Sequence, residues 1–331
     1  MPFGLRTPRL SRTQSSLFSM SEIGITAFLF PGQGSQSVGM GRDLAQNLPA
    51  ARRIFEEADD VLGFSLSTLC FSGPEEQLRL TEFTQPAIFA VSIAAQRVLA
   101  ERGITPQYAA GHSLGEYSAN VAAGVLSFAD ALRIVRRRGQ LMQQAVPDGT
   151  GAMAAILGMS AEAVAKLCRD AAAETNAVVV AANINSPEQI VVSGAAAAVE
   201  RASALAKDRG AKRAVMLQVS APFHCPLMQP AEDALAPLLH AVPFGDAAFP
   251  IVVNVDAAPL SNGADLRQAL IRQVTGAVRW AESMQWMFSA GVTNFVEVGP
   301  GKVLSGLLRQ IDRSRKATHY EEILSGGKMP G

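Results

Sequence analysis

A serine framed by two glycines, Gly111-His112-Ser113-Leu114-Gly115, follows a short segment that reads as a strand end and precedes an alanine-rich stretch that reads as a helix. That setting is a nucleophile elbow. The turn lifts the serine hydroxyl clear of the backbone at the expense of local strain, so side chains on either neighbour would collide with the adjoining strand and helix. Glycine at 111 and 115 removes them. Ser113 then stands at a helix N-terminus, where unpaired N–H groups favour the oxyanion formed when a hydroxyl attacks a carbonyl carbon. Acyl transfer or hydrolysis is the chemistry indicated, with a plain glycine-serine turn as the alternative that partner residues must decide.

The rest of the chain supplies a body for such a turn. Its 331 residues are 48% hydrophobic and 18% charged, enough for one large domain or two ordinary ones. No uncharged apolar run approaches the roughly 18 to 20 residues that span a bilayer, so no membrane partner is expected. The 29 basic residues balance 29 acidic ones, which argues against a nucleic-acid partner while permitting a local basic patch such as Arg133, Arg136, Arg137 and Arg138. Cys70, Cys168 and Cys225 form no C-x-x-C pair and no disulfide framework, as in a reducing compartment, and no metal site is indicated. Residues 1–22 carry Arg6, Arg9 and Arg12 with no acid before Glu22. They read as a disordered extension ahead of a natural start at Met20, with an organellar transit peptide as the alternative to a cytoplasmic location.

Apolar runs alternate with helical patterns along the chain. Ile25 to Phe30 reads as a strand ended by Pro31-Gly32-Gln33-Gly34, with helices over Met40–Leu48 and Ala51–Leu62. The Gly32 to Ser37 string lacks the last glycine of a dinucleotide fingerprint and the acidic residue after a second strand, so a nucleotide site is rejected. Helices are expected over Gln85–Glu101 and Phe128–Ala145. From Ala152 to Val219 the order becomes strand, helix, strand, strand, helix, strand, the split βαβ arrangement. Strands over Ile251–Val255 and Asn294–Val298, and a helix from Val303, then return to the first pattern. The expected fold is α/β: an α/β-hydrolase-like parallel-sheet body (23–147 and 220–315) with an inserted ferredoxin-like βαββαβ subdomain (148–219) and a flexible tail (316–331). A cleft between the two units would hold the site.

Ser113 needs a base that titrates near neutrality, and the chain offers four imidazoles: His112, His224, His240 and His319. His224 is the best candidate, because it follows Pro222 in a loop after a strand end. His240 lies in a helical pattern and His319 in the polar tail, while His112 is placed to pack or order the elbow. The N–H of Leu114, next after the nucleophile, is the oxyanion donor that elbow geometry supplies. Of the acids between serine and histidine, Asp130, Asp148, Asp170 and Asp208, none has a recognisable strand-end setting.

Phe30 to Gln36, Gly111 to Glu116, Arg138-Gly139, Pro222 to Cys225 and Gly299-Pro300-Gly301-Lys302-Val303-Leu304 occur in this order in one chain. Together they closely resemble the malonyl-CoA:acyl carrier protein transacylase family, from about residue 24 to about 310. The resemblance implies a Ser113–His224 dyad whose histidine is oriented by the main-chain carbonyl of Gln273 rather than by an aspartate. It implies a second oxyanion donor at the N–H of Gln33, and Arg138 as the cation that meets a malonyl carboxylate with two parallel hydrogen bonds. Phe223 is expected to crowd the α-carbon, a feature associated in related acyltransferases with malonyl over methylmalonyl.

The function implied is ping-pong transfer of malonyl from malonyl-CoA, through a seryl ester, to the phosphopantetheine thiol of holo acyl carrier protein, supplying fatty-acid synthesis. No permanently bound cofactor is expected, malonyl-CoA being the donor substrate, and the default state is a monomer. Acyl carrier proteins are acidic, which makes Lys207, Lys212, Arg213, Arg136 and Arg137 candidate docking charges. Three alternatives stay open at this level: a thioesterase or esterase on the same Ser-His pair, a non-catalytic carrier-binding scaffold, and a transacylase of a polyketide or malonate-decarboxylating system.

Overall fold

A computed structural model describes residues 24–147, 149–219 and 221–327; the reading of residues 1–22 as an extension or targeting segment lies outside them. The strands are β1 (Ile25–Phe30), β2 (Tyr108–Gly111), β3 (Gly151–Leu157), β4 (Val179–Ser186), β5 (Gln189–Ala195), β6 (Arg213–Met216), β7 (Ile251–Val253), β8 (Ala258–Leu260), β9 (Val292–Glu297) and β10 (Ala317–His319). They form two sheets. The larger runs β10-β9-β1-β2-β7-β8, parallel throughout except for β8, which pairs antiparallel with β7.

The apolar run of β1 is buried on both faces, as a central parallel strand requires. Phe28 and Phe30 join the core under the helix Thr81–Glu101, while Ala27 and Leu29 face the helices Trp280–Ser289 and Val303–Ile311. The Thr81–Glu101 helix, 21 residues long, is buried almost from end to end. Its expected start near Gln85 moves back one turn to Thr81, so that Pro86 lies inside the helix as its sixth residue and leaves Glu82 O without its intrahelical donor.

β4-β5-β3-β6 form the second, wholly antiparallel sheet, in the ferredoxin-like order that the sequence predicts. Period-2 alternation sorts its residues. Ala154, Ile156, Ile190 and Val192 pack beneath the helices Ala161–Thr175 and Ala196–Asp208. Met153, Ala155, Gln189 and Val191 face the larger unit across a cleft. β4 is also stitched to that unit: Val278 N–H donates to Ala182 O at 2.8 Å, and Ile184 N–H to Val278 O at 2.9 Å.

The end of the chain departs from expectation. Instead of a flexible tail from 316, β10 adds a parallel edge strand beside β9, and the helix Tyr320–Leu324 follows with Tyr320 and Ile323 buried. His319, expected in polar surroundings, is buried and bonded through Nε2 to Gly299 O at 2.9 Å. Three apolar anchors, Ala317, Tyr320 and Ile323, hold the segment. They are spaced by three, too sparsely to register as a periodic element.

Candidate active site

Ser113 adopts φ 51°, a left-handed conformation that a side-chain-bearing residue holds only under constraint. The constraint is visible on both of its peptide groups. Ser113 N–H donates to Asn254 Oδ1 at 2.8 Å, and Ser113 O accepts from Gln273 Nε2 at 2.9 Å. Asn254, just past the end of β7, also donates through Nδ2 to Gly111 O at 2.7 Å, so one side chain grips the elbow before and at the nucleophile. The glycines have a steric reason: a Cβ on Gly111 would lie 1.9 Å from Gly115 C, and one on Gly115 would lie 2.0 Å from Phe30 O.

His224 meets the serine from the other side, with Nε2 2.8 Å from Ser113 Oγ. Its Nδ1 faces two main-chain carbonyls, Gln273 O at 2.9 Å and Gly276 O at 3.1 Å. Carbonyls only accept, so Nδ1 carries the proton, Nε2 is the free base, and the serine hydroxyl donates to it. Burial, reinforced by the nearby Arg138 charge, pushes the imidazole down to about 3. The histidine is therefore neutral in the resting site. Asp130 and Asp170, two of the acids between serine and histidine in sequence, are engaged elsewhere with Ser127 and Arg209.

Arg138 is the most buried charge in the cleft, at 1% exposure. Its Nη1 donates to Gln85 Oε1 at 2.8 Å, and its Nη2 donates to Gln273 Oε1 at 2.9 Å and to Ser113 Oγ at 3.1 Å. The Tyr117 ring lies 5.5 Å from its guanidinium carbon. All of these partners are neutral, and Arg138 forms no ion pair among the described residues. Burial lowers its proton affinity, while the neighbouring Tyr117 and Glu116 side chains oppose that drift. Glu116, wholly buried on the helix Gly115–Ala122, accepts from Asn254 N–H at 2.7 Å. Burial lifts its carboxyl to about 7 against the pull of its hydrogen bonds and of Arg138.

The other expected residues converge here too. Gln33, Leu114 and Phe223 line the same cavity of about 360 Å³ as Ser113, Arg138 and His224. The backbone N–H groups of Gln33 and Leu114 have no hydrogen-bond partner among the described residues. His112 points away from the nucleophile, with Nε2 2.8 Å from Asn185 Oδ1 on β4, and so ties the elbow to the second sheet. His240 is exposed at the end of its helix.

The arginine cluster divides as helical rotation dictates. Arg133 and Arg137 are exposed, and Arg138 points inward. Arg136, a candidate docking charge by sequence, instead stacks 4.4 Å from the Phe64 ring centroid and pairs with Glu82 at 3.7 Å. Lys212 is paired with Glu188 at 2.7 Å. Sequence reasoning missed Asn254, Gln85, Glu116 and the side chain of Gln273. Asn254 alone carried a signal, being a polar residue at the carboxyl end of a parallel strand, where α/β sheets place their ligands.

A serine hydrogen-bonded to a neutral histidine, beside two unpaired amides on a helix-flanked parallel sheet, defines the class: a serine enzyme that transfers acyl groups. A model of the acyl transferase domain matches residues 27–328. The malonyl CoA-acyl carrier protein transacylase of Bacillus subtilis is 53% identical over 290 residues, covering 88% of this chain and 91% of the relative. An acyl carrier protein S-malonyltransferase from Vibrio cholerae superposes with a TM-score of 0.87 at 48% identity, over 89% of this chain and 96% of that one. A malonyl-transacylase solved in complex with its type II PKS acyl-carrier protein gives a TM-score of 0.88 at 45% identity, over 92% of this chain and all of that one. The chain belongs to the acyl transferase domain family and, within it, to the malonyl CoA-acyl carrier protein transacylases.

Proposed function

We propose that this protein takes malonyl from malonyl-CoA onto Ser113 and passes it to the phosphopantetheine thiol of an acyl carrier protein, for fatty-acid synthesis. The observation that carries this reading is the buried Arg138 guanidinium, 3.1 Å from the serine hydroxyl with only neutral partners. A short acyl group ending in a carboxylate fills that need. Ser113 Oγ attacks the thioester carbonyl as its proton passes to His224 Nε2. The N–H groups of Leu114 and Gln33 receive the oxyanion, and collapse expels the thiolate, which takes the proton back from His224. The second half-reaction runs the same path in reverse with the carrier thiol. Phe223 borders the acyl group and limits substitution at its α-carbon.

The reading takes the chain to work as a monomer, since one chain carries every group in the step. It places that work in the cytoplasm, which accords with three free, buried thiols. Carrier docking falls to exposed cations such as Arg213, which lines a surface hollow that shares Gln189 with the cleft, with Arg136 set aside for its stacking role.

Intact-protein mass after brief exposure to malonyl-CoA, followed by holo carrier, tests the proposal. The expected result is a malonyl adduct on the wild-type chain, none on Ser113→Ala, and passage of the group to the carrier. Free malonate without an adduct would point to a hydrolase. Neither product would leave a scaffold.

A further inference from the structure

Ser113 Oγ has two polar neighbours, donating to His224 Nε2 at 2.8 Å and accepting from Arg138 Nη2 at 3.1 Å. The first contact prepares the hydroxyl for attack, and the second works against it. An oxygen that accepts from a cation has one lone pair occupied and electron density drawn away from the carbonyl carbon it must reach.

Arg138 Nη2 carries two protons and serves two acceptors, Ser113 Oγ and, at 2.9 Å, Gln273 Oε1. A planar guanidinium presents parallel donors to a carboxylate along its Nη1–Nη2 end or its Nε–Nη2 side, so Nη2 takes part in either two-pronged contact. A carboxylate bound that way must take a proton that Nη2 already gives to another acceptor. Gln273 is poorly placed to yield it. Its side chain is wholly buried, its Nε2 is fixed on Ser113 O at 2.9 Å, and its Oε1 would be left buried and unpaired. Ser113 faces the cavity and keeps its bond to His224, so its contact is the one that gives way. Nη1, anchored on Gln85 Oε1 at 2.8 Å, holds the guanidinium in place during the exchange.

We infer that a carboxylate on the acyl group displaces Ser113 Oγ from Arg138 Nη2, so that the substrate's own charge releases the nucleophile. This rests on the malonyl reading above and adds to it: acyl groups are selected in the rate of acylation as well as in binding. An acyl group without a carboxylate leaves the serine engaged by the cation.

Splitting the substrate into two pieces tests this. Acetyl-CoA supplies the thioester and formate the carboxylate, with acylation of Ser113 followed by quenched-flow intact mass and chloride at equal ionic strength as the control. In the wild-type chain, formate should raise the maximal rate of acetylation on the order of tenfold or more, the usual worth of one hydrogen bond to a charged group. In Arg138→Ala it should change nothing. A pH profile separates release of the hydroxyl from cancellation of charge near His224, whose proton affinity the Arg138 cation helps to depress. Release raises the plateau of the profile, whereas cancellation moves only its acid limb. Acetylation that formate leaves unchanged, slows, or quickens through the acid limb alone overturns the inference, and the wild-type chain decides this even if the variant fails to fold. An equal response in Arg138→Ala overturns it too. Absence of any malonyl adduct on the wild type would instead sink the malonyl reading, so the two failures are distinguishable.

Discussion

Arg138→Ala separates recognition of the acyl group from the chemistry of the serine. In the resting site the guanidinium makes three hydrogen bonds, all to neutral atoms, and its Nε is buried without a partner. A malonyl carboxylate would be its first anionic contact. Removing one side of such a desolvated pair costs roughly 2 to 5 kcal/mol, a loss of about 30- to 5,000-fold in kcat/KM for malonyl-CoA. Acetyl-CoA has no carboxylate to lose. A second effect works in its favour: the Arg138 charge is one of the causes holding His224 down, so an uncharged acyl group leaves that cation uncompensated when the imidazole must accept a proton. The variant relieves this. Acetylation of Ser113 should therefore hold steady or rise, and the acid limb of its pH profile should move to higher pH. Acylation rates from quenched-flow intact mass, with malonyl-CoA and acetyl-CoA in parallel, read both effects. Thermal melting by circular dichroism controls for the orphaned acceptors on Gln85 and Gln273, each worth roughly 1 to 3 kcal/mol. A well-folded Arg138→Ala that keeps the wild-type malonyl-to-acetyl ratio would refute the assignment.

Two further expectations come from the buried groups behind the nucleophile. Asn254→Ala removes the acceptor for Ser113 N–H and the donor to Gly111 O, so the strained turn loses its grip and kcat should fall about 10- to 100-fold with little change in KM. Steady-state kinetics decide it, and a loss confined to KM would contradict the positioning role. Glu116 has a folded pKa of about 7 against 4.5 unfolded, so the folded state holds the extra proton between those values. That stabilisation is complete below 4.5 and is lost as pH rises through 7. His224 has the opposite sign: with a folded pKa of about 3 against 6.5, stability falls as pH drops through that window. Glu116→Gln abolishes only the first trend. Its melting temperature relative to wild type should climb between about pH 5 and about pH 8, and a pH-independent difference would show that the carboxyl does not titrate there.

What was legible in the sequence followed from how local each constraint is. The elbow is written in consecutive residues because its demand is a collision between neighbouring backbone segments, which only glycine at 111 and 115 avoids. The ferredoxin-like order was legible because six elements each have their own period. Gln273, Gln85 and Asn254 converge from three separate segments, and a lone amide in a helix or strand carries no periodic mark. Gln273 entered only through the resemblance, and then for its carbonyl alone. Its side chain does a separate job, bridging Arg138 to the carbonyl of Ser113.

Arg138 shows how more could have been read without any relative. On the helix Phe128–Gln144 the buried positions include Ala131, Leu132, Val135, Gly139 and Met142, the three-and-four spacing of a stripe facing the core. Arg138 falls on that stripe, three residues after Val135 and four before Met142, whereas Arg133 and Arg137 fall off it. A run of arginines usually marks a solvated face, but consecutive residues on a helix point about 100° apart, so a run of three cannot all be solvated when the stripe passes through it. One of them must go inside, where burying an unpaired cation is costly. A chain keeps such an arrangement when something else supplies the anion, and the neighbour on the stripe fits that account. Gly139 lets the helix approach so closely that an added Cβ would lie 2.7 Å from Thr81 O, which brings the Gln85 turn against the guanidinium. On the proposed reading of Arg138, the substrate's charge was thus implicit in the phase of one helix.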